Sequence, residues 1–452
     1  SSTPNSIVCD GEMKIRTSLH NNNAISEIVG SVILLLIAVL SFTAIYLYVF
    51  PLPGYVAESN VDIQGSVSGA FPELIHVGGE TLQEYQIFVD GSLYVDSEST
   101  DGTRYNWKMG DKKPLNIYGK KTVDVIVVSK LADGGTEIVF EGEFDNPSYN
   151  EKPEQDTPLF YSSLLKNSSG EDLICFKNGN DQDSDGDSVT YIYAWHKNDD
   201  SLATLYYPFN TNSPVMIKDY SDSANNGVVS NANWTTSGKV GGGYSYTSDG
   251  SITCDLPKPF TNLSTNDFSI TVWVKSNDIA EDQNCIFEAY NNNQNFIQLF
   301  QQDERIYAGV CVENSKFTLK TDPLSSNTWY HIGLVWNSSN QKLHLYVDGL
   351  EFESTGSDLY FLEGNNQAFI IGQKTDESSG WNGSIDEIYV YDFNVTEDHI
   401  YQQYLCAKDG VSNVSVLVSE ETSIGDKWSC YVTPNDGFQD GISKMRTSIT
   451  IE

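Results

Sequence analysis

Residues 181–187 read Asp-Gln-Asp-Ser-Asp-Gly-Asp, four carboxylates at alternate positions with a glycine at the sixth. Oxygen ligands at that spacing suit a hard cation such as calcium, so Asp181, Asp183, Asp185 and Asp187 are candidate ligands. The twelfth position is Ile192, where a bidentate Glu would be required. The run therefore opens like a calcium loop and does not close like one; the competing reading is a solvated turn. A second acidic spot is Ile385-Asp386-Glu387. A retaining glycoside hydrolase needs two carboxylates about 5 Å apart. Neighbours on a strand point to opposite faces, so this pair is not expected to catalyse. The histidines show no metal spacing and no nucleophile beside them, and no Gly-rich phosphate loop precedes a helix. The sequence points to a protein that is not an enzyme.

The chain carries 62 acids against 26 bases, a formal charge of −36 over 452 residues. Binding nucleic acid requires Lys and Arg to neutralise phosphates, so that partner is disfavoured. The excess acid fits a solvated, self-repelling surface. Seven Asn-x-Ser/Thr sequons stand at Asn167, Asn233, Asn262, Asn337, Asn382, Asn394 and Asn413, candidates for N-linked glycans. Setting Cys9 aside leaves Cys175, Cys254, Cys285, Cys311, Cys406 and Cys430. An even count on an exported β-rich chain favours disulfides over metal, with fifteen possible pairings.

These residues need a scaffold, and the pattern for it is short alternating strands broken by DG, GG, NG and NN turns, that of all-β domains. In residues 55–148 strands are expected at 60–67, 74–77, 82–89, 92–96, 106–108, 115–118, 122–129 and 137–143. His76 has no second ligand nearby and is expected to be structural. Residues 146–158 (NPSYNEKPEQDTP) read as a linker. Further on, Cys175, then DGDSVTYIYAW ending at Trp195, and GDKWSCYVTPNDG with Cys430 resemble an immunoglobulin-like sandwich, split between residues 149–203 and 406–452. That resemblance implies a Cys175–Cys430 disulfide. The segments between, from KDYSDSANNG through DFSITVWVK and NTWYHIGLVW to WNGSIDEIYVYD, resemble in order a concanavalin A-like laminin-G jelly roll. Residues 204–405 are thus expected as a domain inserted in the sandwich. The remaining cysteines then suggest Cys285–Cys311 and Cys254–Cys406. The jelly-roll resemblance adds Asp219 and Asp386 as calcium candidates, and places Trp273, Trp329 and Trp336 at core or rim positions.

At the other end, Ile28–Phe50 is an apolar run of 23 residues without a charge. As a helix it would span about 35 Å, enough to cross a bilayer. Lys14 and Arg16 precede it, which puts the N-terminus inside. The stretch Asn23-Ala24-Ile25-Ser26-Glu27, with Leu74–Leu82 and YQIFVDG further on, resembles archaeal type IV pilins. The resemblance implies a leader starting at Met13, with residues 1–12 upstream of the true start. It implies cleavage by a prepilin peptidase between Ala24 and Ile25, and Glu27 pairing with a neighbour's N-terminal amine. The expected fold is mainly β with one long N-terminal α-helix at 25–54 under a β-sandwich head. The expected function is an extracellular homo-oligomeric filament subunit, held in the membrane before assembly, that displays β domains to surfaces, glycans or cells. The alternative is a monomeric membrane-anchored lectin using the jelly roll.

Overall fold

The computed structural model describes residues 32–33, 35–39, 60–68, 71–96, 99–115, 120–146, 149–179, 183–281, 284–352, 367–377 and 379–452. They form two compact units that divide between Tyr149 and Asn150. Nearly everything described is β.

The long N-terminal helix is the expectation that fails. Of the apolar run, Val32, Ile33 and Leu35–Val39 are described as helical. Seven described helical positions account for only about 10 Å of rise, short of the roughly 30 Å hydrocarbon core. Among the described residues no helix is long and apolar enough to cross a membrane. Ala24, Ile25, Glu27 and the leader lie outside the described residues.

The first unit pairs two sheets. Val61–Ser68, Phe71–Gly79 and Lys112–Pro114 make one. The other runs Ser92–Leu93, Leu82–Val89, Thr122–Lys130, Thr136–Asp145, with Thr103–Trp107 also on Leu82–Val89. In Thr122–Lys130 the apolar Val123, Val125 and Val127 alternate inward, the period-2 pattern of a half-buried strand. They meet Leu74, Tyr85 and Trp107 in the core. His76 is wholly buried, with Nε2 2.8 Å from the Glu80 carbonyl and its ring edge-on to Trp107.

In the second unit, strands from before and after the long middle segment pair with each other. Leu173–Phe176 lies between Leu159–Ser162 and Val414–Leu417. Thr190–Lys197 runs antiparallel to Lys427–Asn435, with Trp195 opposite Cys430. Cys175, Trp195, Trp428 and Cys430 fill the space between the two sheets. The middle segment folds as a jelly roll of two eight-stranded sheets. The first is ordered Asn233–Thr235, Gly243–Tyr246, Gly383–Tyr391, Phe268–Ser276, Tyr330–Asn337, Lys342–Val347 and Leu350–Phe352, with Leu205–Tyr207 also on Gly383–Tyr391. The second runs from Met216–Ile217 through Gly227–Ser230, Ser251–Cys254, Ala368–Ile371, Asn284–Asn292, Asn295–Gln302 and Arg305–Val312 to Ser315–Lys320. Trp336 is fully buried between them and its indole N–H donates to the Leu263 carbonyl at 2.9 Å. Trp273 is buried too, whereas Trp329 is half-exposed under the Lys275 ammonium.

A helix, Glu397–Ala407, joins the jelly roll back to the sandwich. Thr396 caps it by accepting from the His399 N–H, and Glu397 and Asp398 lie at its positive end. Ile400 of this helix packs with Val335, Tyr346 and Tyr391 from the outer face of the first jelly-roll sheet. These join Phe160 and Trp195 of the sandwich in one apolar cluster. The guest and its host are thus welded by a shared core, which holds the residues between them in fixed geometry.

Candidate functional site

The strand Gly383–Tyr391 does not alternate cleanly. Trp273 pairs with Asp386 and Thr271 with Tyr389, so two residues face one across a bulge. Glu387 sits in that bulge at φ 52°, a left-handed conformation that costs a non-glycine residue on the order of 1 kcal/mol. The bulge overturns the expectation that Asp386 and Glu387 point apart. Both carboxyls are buried, and the charge of Glu387 acts on Asp386.

Their partners differ. Asp386 Oδ2 accepts from the backbone N–H groups of Lys239 at 2.7 Å and Val240 at 2.9 Å, and Oδ1 accepts from Glu387 N–H at 2.9 Å. This ties down the tight loop 238–242. A Cβ on Gly238 would lie 2.0 Å from the Gly242 carbonyl oxygen, so only glycine fits there. Glu387 Oε2 accepts from the Tyr206 and Tyr389 hydroxyls, each at 3.2 Å. Burial pushes Glu387 up to about 8, against the pull of those hydroxyls. Asp386 is raised by burial and then by Glu387. Three N–H donors need an ionised acceptor, so the proton of the pair resides on Glu387.

Glu387 faces a cavity of about 80 Å³ where jelly roll, helix and sandwich meet. A different and much larger feature opens on the other sheet. A groove of about 910 Å³ is bounded by the loop Ser223–Asn226, the segment Thr253–Lys258 and Gln367. Asp219 builds its wall from beneath. That carboxylate is 5% exposed and accepts from Tyr206 N–H, Ser221 N–H and Oγ, and Asn225 N–H at 2.7–2.9 Å. Burial still raises its pKa. Asn225 Nδ2 donates to the Asp255 carbonyl at 2.8 Å and its Oδ1 accepts from Asp255 N–H at 3.2 Å, closing the floor. The Asp255 and Lys258 side chains stand exposed along one side.

Residues 247–401 match the family model of the Concanavalin A-like lectin/glucanases superfamily, Laminin_G_3. The match covers the greater part of the jelly roll. No curated protein matches in sequence. Among solved structures, domain 4 of AbnA, a GH43 extracellular arabinanase from Geobacillus stearothermophilus in complex with arabinotriose, is 18% identical. It covers 44% of this chain and 96% of that one, at a TM-score of 0.36. The binding domain of Paraclostridial Mosquitocidal Protein 1 is 17% identical, over 43% of this chain and 52% of that one, at 0.33. The Botulinum Neurotoxin Type G receptor binding domain is 13% identical, over 45% and 51%, at 0.34. The chain thus spans about half the length of both toxin domains, and TM-scores this low carry no argument.

The other expected site residues are dispersed. Asp181 lies outside the described residues. Asp183 Oδ1 accepts from Asp185 N–H at 3.1 Å and Gly186 N–H at 3.2 Å, and Asp185 Oδ2 accepts from Glu151 N–H at 2.7 Å. Asp183 is pushed up to about 6 by partial burial and by Asp185, and Asp187 is raised by burial and by Asp185 and Asp436. Among the described residues no three acids, histidines or cysteines converge as metal ligands. Asp219 and Asp386 spend their oxygens on backbone donors.

Cys175 and Cys430 are neighbouring buried thiols between the sandwich sheets. Cys285 and Cys311 are not brought together. Cys285 lies opposite Phe300 and Cys311 opposite Phe296, on strands separated by Asn295–Gln302. Two strand spacings and four residues of offset put them roughly 15 Å apart, beyond the ~7 Å a disulfide spans. Cys254 neighbours Tyr207 and Asn225, while Cys406 on the helix neighbours Gln402 and Val416, so that pairing is not formed either. Of the sequons, Asn233, Asn262 and Asn413 are exposed. Asn382 and Asn394 are half-buried and donate to Glu281 and Asp267 through Nδ2, the atom a glycan would need. Asn167 and Asn337 are half-buried as well.

Proposed function

We propose that the chain is a non-catalytic binding protein whose jelly roll takes a carbohydrate in the groove beside Asn225, Asp255 and Gln367. The groove's size and lining carry this reading. Ligand sites commonly enclose about 300–1,000 Å³ and combine apolar surface with a few fixed polar groups. Here Leu256, Pro257 and Val228 give the apolar part, and amides, a carboxylate and an ammonium give the polar part. Beyond their bonds to Asp255 and Asn291, the Asn225 and Gln367 amides each keep a second N–H and a carbonyl lone pair, the donor and acceptor that vicinal sugar hydroxyls require. The Asp219 hub fixes the loop in advance, which lowers the ordering cost of binding.

Binding rather than catalysis follows from the acids. Asp386 is committed to three backbone donors, and Glu387 faces the cavity of about 80 Å³, too small for a sugar ring with water beside it. The charge of −36, the sequons and the buried cysteine pair support display outside the cell, with N-glycans. The residues around the expected cleavage point lie outside the described set, and Leu74–Leu82 and YQIFVDG are β-strand and turn that add nothing to a filament role, a prepilin peptidase or a membrane partner.

Calorimetric titration of the full chain with a panel of neutral and acidic oligosaccharides tests the reading. At least one should bind, and Asp255→Ala with Gln367→Ala should weaken it about tenfold while the melting temperature stays put. Unchanged affinity in both variants, or no oligosaccharide bound at millimolar concentration, would end it.

A further inference from the structure

The cavity at the junction of jelly roll, helix and sandwich shares no lining residue with the groove. Its walls are aromatic. Trp195 comes from the sandwich, Tyr206, Trp273, Tyr389 and Tyr391 from the jelly roll. The Tyr206 and Tyr389 rings stack on each other at 4.0 Å and 15°, and their hydroxyls point to Glu387. Further polar groups line the space, among them Gln403, Ser412, Ser415 and two histidines. His331 and His399 are 2% and 3% exposed, and the Nδ1 of each is buried with no hydrogen-bond partner. Native proteins rarely leave buried polar atoms unsatisfied, so each such atom calls for an occupant. The volume admits roughly two to three waters, or one ammonium head group with a few carbons.

We propose that this cavity binds a small organic cation, an alkylated or methylated ammonium group, held by the aromatic faces and the Glu387 carboxylate. Aromatic rings attract cations through their negative faces, most strongly where water is excluded. The carboxylate provides the counter-charge, and the bulge that turns Glu387 into the cavity is backbone strain of the kind that accompanies functional sites. The charged and titratable groups around Glu387 are Asp386, Tyr389 and Tyr391 on its own strand, Tyr206, Lys239 from the loop, His331 from Tyr330–Asn337, His399 and Cys406 from the helix, and Tyr191 and Tyr193 from the sandwich. The Lys239 ammonium takes one face of Trp273 but is not paired with Glu387. It lies over Trp273 at 4.4 Å and donates to the Lys408 carbonyl at 2.6 Å, which holds it beside the helix end. Both histidines are held neutral by burial, so they act as dipoles and not as competing cations.

The probe is tetramethylammonium, whose charge does not titrate, compared with tert-butanol as a neutral analogue of similar shape. Titrated into the full chain, tetramethylammonium should bind at least tenfold more tightly than tert-butanol. Its affinity should rise about tenfold per pH unit from pH 6 until Glu387 ionises near pH 8, then level off. Glu387→Gln keeps the shape and should abolish that rise; Trp273→Phe should weaken binding while keeping it. The pH profile of the unsubstituted chain decides the matter even where a variant fails to fold. Equal affinity for the two probes, pH-independent binding, or no binding of either overturns the proposal. Oligosaccharide binding in the groove stands or falls separately.

Discussion

The acid loop at 183–187 and the acid pair at 386–387 carry the same functional group in opposite settings. In the loop, carboxylates accept from nearby backbone N–H groups and close a turn around Gly186, which sits at φ 91°. Asp185 is exposed, whereas Asp183 is half-buried and its Oδ2 has no hydrogen-bond partner. In the pair, the carboxyls are buried among tyrosines, and every interaction is made by protein. The loop has three acids against the pair's two, yet the pair bears the greater electrostatic load. Charge density along a chain says little about electrostatic strain; removal from water decides it.

The contrast should appear first in stability. Asp386→Ala leaves three buried N–H donors without an acceptor and frees the loop 238–242, so a loss of about 4 kcal/mol is expected. Asp183→Ala removes a repelled, half-buried carboxylate with one oxygen unpartnered, and should stay within about 0.5 kcal/mol. Urea denaturation of the full chain, reading the transition that contains the jelly roll, compares them directly. Similar losses at both sites would erase the distinction. The pH dependence comes next. Folded Glu387 titrates near 8 against 4.5 in the open chain, so the folded state holds the extra proton between those values. Stability is therefore full below about pH 4.5 and falls as pH rises toward 8, by about 5 kcal/mol for a shift of this size. Glu387→Gln should flatten that decline. Glu171 runs the other way. Hydrogen bonds from Ser168, Ser162 and the backbone outweigh its desolvation and hold it down to about 2, so its contribution is lost as pH falls from 4.5 toward 2.

Much of this architecture can be read in the chain. The order of the jelly-roll segments and the Cys175–Trp195–Cys430 set come from strand-scale alternation and anchor residues, which are local. The 200-residue gap between Trp195 and its partner strand is legible because the same motif resumes after it. The bulge at Glu387 is not, since no glycine or proline marks it; it follows from fitting the strand to Phe268–Ser276 on one side and Leu205–Tyr207 on the other. The helix Glu397–Ala407 also escapes notice. Only His399 and Ile400 of it are buried, too few to print a 3.6-residue period, although Thr396 followed by two acids is a helix-start signal. The long apolar run misleads in the opposite sense, because hydropathy reports what a helix could cross and not the helix that is described. Pairing of cysteines needs three dimensions. Non-reducing peptide mapping should recover a Cys175–Cys430 bridge and none between Cys285 and Cys311. Reducing the former should cost about 2 kcal/mol of stability.

The smallest expected effect tests whether the acid loop does anything beyond closing its turn. Asp183 and Asp185 repel, and the folded chain keeps Asp183 partly protonated toward pH 6. A cation would relieve that repulsion, but it would compete with the Asp185, Gly186 and Glu151 N–H groups that these carboxylates already accept from. A divalent ion held by so few oxygens belongs with weak extracellular sites of about 1 mM affinity. At 1 mM calcium the gain is then RT ln 2, about 0.4 kcal/mol. Asp183→Asn should remove it, and Asp386→Asn, though destabilised, should keep it. A calcium gain of several kcal/mol would mean that the loop closes around the ion with ligands contributed from elsewhere in the chain. An equal gain in Asp183→Asn would place the ion away from the loop altogether, and the acid run would then be a turn and nothing more.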